Sequence, residues 1–355
     1  MNFGDHSFAV NRAQALAEKI SKTSSMTGLL ALAEEAKHID ETFLDDGLTG
    51  ALATYGISWL NDALAARVVA LTAEEARLPA ANWCWISLGS EGRHEQTLVT
   101  DQDNGLIFSA SDEQEADLLR EVFLPFAKQT NQRLADCGFT LCTGDIMAGN
   151  PAWCRSEEEW KTLFFDWIHK PEPTALLNAS IFFDVRPLYG DFSLVDPLRD
   201  MLARWAPPAE TFLRLMATNA LAAEPPIGFT GDVVMEKEGK ERFVDIKKYG
   251  VRIFVDTARI FGLAHGVKSA STRTRFLQGG EKAGMSALDI SAALQAMSEL
   301  QRLRLNHQHA AITAGEKADN HLHPDELSSY DESVLREGLK QAKRLQQRLK
   351  LTYRI

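Results

Sequence analysis

Residues 88–108 read LGSEGRHEQTLVTDQDNGLIF. The apolar run Trp83-Cys84-Trp85-Ile86-Ser87-Leu88 stops at Gly89-Ser90. A short polar stretch follows, and Asp101-Gln102-Asp103 opens a second apolar run, Leu106-Ile107-Phe108. Side chains at i and i+2 of an extended segment share a face. Asp101 and Asp103 can therefore aim two carboxylates at one place, their backbones roughly 7 Å apart by the strand rise. Like charges held that close raise each other's pKa unless a cation lies between them. Mg²⁺ is the expected cation, with Mn²⁺ as its substitute: both take oxygen ligands, and Mg²⁺ is bound by one or two carboxylates plus substrate phosphates. Gly89-Ser90 suits those phosphates, because glycine admits close backbone approach and the N–H groups of a following helix start favour an anion.

A strand, Gly-Ser, about ten residues and then Asp-x-Asp opening a second strand resembles the nucleotidyltransferase superfamily typified by DNA polymerase β. The interior GSEGRHEQTLVTDQDNGLIF is closer to the bacterial branch of PII-protein uridylyltransferase and glutamine-synthetase adenylyltransferase. Within that branch it resembles nucleotidyltransferases of unknown function that are often fused to CBS or cyclic-nucleotide-binding domains. The resemblance implies a mixed α/β, polymerase-β-like domain with helices before it and an all-helical substrate-binding domain after it. The marks of the latter are DIKKYGVRIFVDTARIFGLAHGV, RLRLNHQ and ADNHLHPDELS.

The same resemblance implies the chemistry. An NTP lies with its phosphates on the Gly89-Ser90 turn, metal sits on Asp101 and Asp103, an acceptor attacks the α-phosphorus and pyrophosphate leaves. The acceptor implied is a regulatory protein receiving UMP or AMP, as in signal transduction, although a small molecule stays open and no motif selects the base. The rival reading is a catalytically silent nucleotide-sensing module. Arg93 either contacts phosphate through paired N–H groups or pairs with Glu91, Glu95 or the aspartates. A third carboxylate is usual in this superfamily, and two compete for the place. Asp145 falls in a third predicted strand, FTLCTGDIMA at 139–148, and is favoured on topology. Asp184 lies in FFDVRPLYGD, where it could instead form a buried salt bridge with Arg186.

Composition is that of a globular chain: 355 residues, 45% apolar and 25% charged, with a mean hydropathy of −0.20. No apolar run approaches the roughly 20 residues of a membrane span. The start MNFGDHSFAVNRAQ lacks a basic-then-apolar export pattern, so a cytoplasmic location is expected. Cys84, Cys137, Cys142 and Cys154 show no CxxC pairing, and reduced structural thiols are expected. The net charge of −11 is uneven. Residues 1–210 hold 16 Lys and Arg against 32 Asp and Glu, whereas 211–355 hold 22 against 17. The acidic first part argues against a nucleic-acid partner, whose backbone needs basic patches.

Along the chain, residues 9–78 show helical periodicity, and 79–200 alternate strand and helix, with a helix over 112–137 ended by Gly138. From 201 on the pattern is mostly helical, with a hairpin in VVMEKEGKERFVDIK turning at Glu238-Gly239. Domains at 1–78, 79–200 and 201–355 follow. Lys247, Lys248, Arg252 and Arg259 could form a basic wall for the nucleotide or the acceptor, against the plainer expectation of solvated helix side chains. His307, His309, His321 and His323 have no spacing that marks a metal site, and packing or capping is expected of them.

Overall fold

The computed structural model describes residues 8–228, 231–238 and 241–355. The chain divides into two compact units, one of Met1–Gly47, Thr54–Trp167 and Leu177–Leu202, the other of Leu48–Ala53, Ile168–Leu176 and Ala203–Ile355.

In the first unit the early periodicity resolves into three helices, α1 (Phe8–Lys22), α2 (Met26–Asp45) and α3 (Gly50–Ala76). Val10, Ala13, Leu16 and Ile20 are buried along α1, and Leu29, Ala33, Ala36, Ile39 and Phe43 along α2, at the three-and-four spacing of a single apolar stripe. α3 is different, with Ala53, Ile57, Leu60, Leu64, Val68 and Leu71 buried together with the polar Ser58, Asn61 and Thr72. A β-carbon at its Gly56 would meet the Phe43 ring at 2.9 Å, so the missing side chain is what lets that ring lie on the helix.

The sheet follows as β1 (Trp83–Ser87), the one-turn helix α4 (Gly89–Arg93), β2 (Asn104–Phe108), the crossover helix α5 (Glu113–Asp136), β3 (Cys154–Ser156), α6 (Glu157–His169), α7 (Pro173–Phe182) and β4 (Arg186–Gly190). Its strand order is β3-β2-β1-β4. β1 runs antiparallel to both neighbours, and β2 and β3 are parallel, the pairing for which the long crossover through α5 provides. Residues of β1 and β2 are buried on both faces, which explains why they read as continuous apolar runs. Trp83 and Trp85 pack edge-on to Phe126 of α5, and the Trp160 indole N–H donates to the Leu106 carbonyl at 3.1 Å. Asp112 caps α5 by accepting from Glu115 N–H at 2.8 Å. Gly138 follows that helix at a φ of +101°, where glycine is favoured.

The third strand expected at 139–148 is not there. Thr140 makes only an isolated bridge to Asp101, and the chain then turns at Cys142–Asp145, where Asp145 N–H donates to the Cys142 carbonyl at 3.0 Å. The polar Thr-Gly-Asp centre forms a turn with Asp145 at a φ of +54°, overriding the apolar flanks. The place beside β2 is taken by Cys154–Ser156. The apolar LLNASIFF, whose pattern alone assigns it to no element, lies largely in the helix α7.

α8 (Asp196–Trp205) leads on to α9 (Glu210–Ala220). The second unit contains the expected hairpin as β5 (Glu236–Glu238) and β6 (Glu241–Asp245), although Gly239 lies outside the described residues. A π-helical turn, Lys247–Val251, then starts α10 (Arg252–Ala264), whose residues from Ile253 to Leu263 are all buried. α11 (Thr272–Arg275), a second π turn at Phe276–Gly280, α12 (Ala287–Thr313), β7 (His321–Leu322) and α13 (Ser329–Tyr353) complete it, β7 pairing with β6. Gly338 of α13 faces Leu300 of α12, where a β-carbon would stand 2.7 Å from a leucine methyl. Among the described residues no helix is long and apolar enough to cross a membrane.

Candidate functional site

The β1–β2 register places Ser87 opposite Asn104, and the β1–β4 register places it opposite Arg186. The end of β1 and the starts of β2 and β4 therefore meet at one edge of the sheet, where the Gly89-Ser90 turn leaves and the Asp-x-Asp segment enters. Leu88 N–H donates to the Asp103 carbonyl at 2.9 Å and joins the two. Gly89 has a φ of +53°, and a β-carbon there would stand 2.6 Å from Asp103 Oδ2. Glycine is thus required twice, by its backbone angle and by the carboxylate lying against it.

Alternation sorts the four residues 101–104 that lead into β2. Gln102 and Asn104 are 2% and 1% exposed, whereas Asp101 is exposed and Asp103 half-buried. Gln102 Nε2 donates to the Asn131 and Phe139 carbonyls at 2.9 and 3.0 Å, and Asn131 Nδ2 donates to Gln102 Oε1 and Asn104 Oδ1 at 2.8 and 2.9 Å. Asn104 Oδ1 also accepts from Ala148 N–H, and Asn131 Oδ1 from Gly149 N–H, both at 2.8 Å. The amides thus anchor the strand start inward to α5 and the 140–150 loop. Cys142 reports on the other face. Its thiol lies 3.5 Å from Asp103 Oδ1 and is pushed up in pKa by burial, with the charges of Asp103 and Asp101 acting the same way.

The arginines are engaged. Arg93 donates through Nε to Glu95 at 2.8 Å and through Nη1 to Asp184 at 2.5 Å, and Asp184 is fully buried. The pairing with Glu95 is one of the ion pairs that the sequence offered for Arg93. Gly92 belongs to the same clamp, since a β-carbon on it would stand 1.9 Å from the Asp184 carbonyl oxygen. Asp184 does make a buried salt bridge, but with Arg93 and not Arg186. Arg186 Nη2 instead donates to Asp62 of α3 at 2.7 Å and to the Glu91 carbonyl at 3.0 Å. Asp145 is exposed on its turn, its carboxylate accepting from Asn150 Nδ2 at 2.9 Å. Among the described residues no three of His, Cys, Asp and Glu gather as a metal cage. Two carboxylates on one face still suit Mg²⁺, which keeps several positions for water and phosphate oxygens. The donor set fits that ion.

Beneath the turn, sequence reasoning missed Asp62 and His94, and offered Glu91 only as a partner for Arg93. Glu91 is buried, accepts from Ser87 Oγ at 2.5 Å, and has its carboxyl pushed up to about 8 by burial and by the neighbouring charge of Asp62. His94 takes the left-handed position that ends α4, and burial and Arg186 push its imidazole down to about 4. Asp62 lies 3.3 Å from His94 Nδ1 without hydrogen-bond geometry and is raised in pKa by burial against the opposing pull of Arg186. The one available signal was an Asn-Asp pair inside the apolar ISWLNDALAARVV.

A family model described as putative nucleotidyltransferase DUF294 matches residues 34–174, and a second, described as putative nucleotidyltransferase substrate binding domain, matches residues 210–353. The chain belongs to the DUF294 nucleotidyltransferase family. Comparison with curated proteins finds no match. The nucleotidyltransferase match spans the Gly89-Ser90 turn, Asp101, Asp103 and Asp145, and the substrate-binding match spans Lys247, Lys248, Arg252 and Arg259. There Lys247 is exposed on the π turn. Lys248 Nζ stands 4.4 Å from the centre of the Tyr249 ring and 3.8 Å from Glu236. Arg252 and Arg259 share Asp256, at 3.2 and 2.5 Å, with Arg259 buried. In that domain His307 Nε2 meets Asp319 at 3.0 Å and His323 Nδ1 meets the Arg242 carbonyl at 3.1 Å. His321 stacks on the Phe243 ring, with centroids 4.0 Å apart.

Proposed function

We propose that this DUF294 chain is a metal-dependent nucleotidyltransferase that moves an NMP group from an NTP to an acceptor, the acceptor being a regulatory protein that receives UMP or AMP. Asp101 and Asp103 would hold Mg²⁺ or Mn²⁺, and the Gly89 and Ser90 backbone would meet the phosphates. The observation that carries this reading is the alternation at the start of β2. Gln102 and Asn104 are tied inward, leaving both aspartates on the other face with Asp103 against Gly89. When bound, the ion supplies Lewis-acid neutralisation of phosphate charge. The chain's own residues supply position: the turn holds the phosphates, and the amide anchor holds the carboxylates in place before the nucleotide arrives, so little reorganisation remains. Lys247 and Lys248, within the substrate-binding match, are proposed to face the nucleotide or the acceptor.

The test is incubation with Mg²⁺ or Mn²⁺ and labelled ATP or UTP, following pyrophosphate and label on co-purified proteins. Asp101→Asn and Asp103→Asn are each expected to lower pyrophosphate release about 10³-fold, the size of losing several kcal/mol of charge stabilisation. Micromolar nucleotide binding with no pyrophosphate from any acceptor would favour the sensing module instead.

A further inference from the structure

Helix α3 presents a polar row to the segment that carries the Gly-Ser turn. Ser58, Asn61 and Asp62 stand three and four residues apart, the spacing of one helix face. Ser58 Oγ accepts from Gln96 N–H at 2.8 Å, and Asn61 Nδ2 donates to Gln96 Oε1 at 3.4 Å. Asp62 takes Arg186 Nη2 at 2.7 Å, and that same nitrogen donates to the Glu91 carbonyl at 3.0 Å. Both partners of the ion pair are only 16% exposed.

These contacts matter because α4 has five residues and no side-chain N-cap. So short a helix cannot hold its own direction, since nucleation is unfavourable and few internal bonds repay it. Its orientation comes from outside. One clamp, Arg93 with Asp184, grips its last residue. The other, Arg186 with Asp62, grips the Glu91 carbonyl, one residue beyond Ser90. Arg186 is also placed by the sheet, since it pairs across from Ser87, two residues before the turn.

We propose that Arg186 and Asp62 are positioning residues for the nucleotide: by tying the Glu91 carbonyl to α3 they set the direction of the Gly89 and Ser90 amides and so determine phosphate affinity. This rests on the nucleotidyltransferase reading given above. Neither residue is asked to touch nucleotide or metal. Asp62 works through Arg186, whose buried charge would be left uncompensated without it.

The experiment titrates the full chain with Mn²⁺ alone, followed by electron paramagnetic resonance, and with MnATP and MnUTP, followed by calorimetry. It compares the parent with Arg186→Met, Arg186→Lys and Asp62→Asn. Loss of one charge-assisted hydrogen bond is expected to weaken nucleotide binding about tenfold or more in Arg186→Met and Asp62→Asn. Arg186→Lys should recover part of it, because an ammonium can still donate to one of the two acceptors. Affinity for Mn²⁺ alone should stay within about twofold in all three. The proposal is overturned if Asp62→Asn and Arg186→Met bind nucleotide as the parent does. It is equally overturned if Mn²⁺ affinity falls in step with nucleotide affinity, the mark of general damage to the site. If Arg186→Met does not fold, the near-isosteric Asp62→Asn decides between the same two outcomes. A folded parent that binds neither nucleotide refutes the nucleotidyltransferase reading, and the positioning role with it, which separates that failure from one seen only in the variants.

Discussion

Gly89 and Glu91 each meet demands that no neighbouring residue could satisfy. Any side chain at 89 would be strained at a φ of +53° and would push into Asp103. Gly89→Ala is therefore expected to lose about 1–3 kcal/mol of stability and to weaken Mn²⁺ binding as Asp103 is displaced, read by urea midpoint and metal titration. Burial favours the acid form of Glu91 in the folded chain. Its carboxyl, ordinarily near 4.5, is raised to about 8, first by burial and then by Asp62. A group raised in the folded state stabilises fully below its unfolded value. That contribution shrinks as pH rises from about 4.5 to about 8, where the folded chain ionises it too. Glu91→Gln keeps an acceptor for Ser87 and removes the titration. It should match the parent at about pH 5 and exceed it by about 1 kcal/mol or more at about pH 8.5, the scale of one pKa unit. Urea unfolding at the two pH values checks this, and a difference independent of pH would refute it.

Among the elements, the start of β2 shows how local pattern and packing divide the work. Period-two alternation is enough to place Asp101 and Asp103 on one face without reference to any partner. The inward partner is not legible in the same way, because Asn131 lies 27 and 29 residues away from the amides it binds, on the crossover helix. Asn131→Ala should strand two buried amides and cost about 1–3 kcal/mol for each left unpaired. Metal affinity should fall with it, whereas a surface change on α5 such as Glu121→Ala should alter neither. The long helices are legible because their apolar stripes repeat over several turns. The 139–148 segment departs from its predicted strand because a polar three-residue turn outweighs two short apolar flanks, and the case for Asp145 as third carboxylate depended on that strand.

Across the whole molecule, charge is the property that composition reports best. The first 210 residues carry twice as many acids as bases, and such a surface repels phosphate backbones. The chain should show no binding to duplex DNA or RNA at micromolar concentration in about 0.15 M salt, measured by fluorescence anisotropy. Tight binding would force the acceptor to be sought among nucleic acids.

Spacing alone sufficed for the paired aspartates, the Gly-Ser turn, the family resemblance and the helical content, since each depends on residues within a few positions of one another. Which charges neutralise which did not follow from spacing. Arg93 meets Asp184 across 91 residues and Arg186 meets Asp62 across 124, leaving Asp145 to Asn150 on an exposed turn. A buried ion selects its partner by proximity in a medium that screens little, and proximity of that range exists only once the sheet edge and α3 have come together.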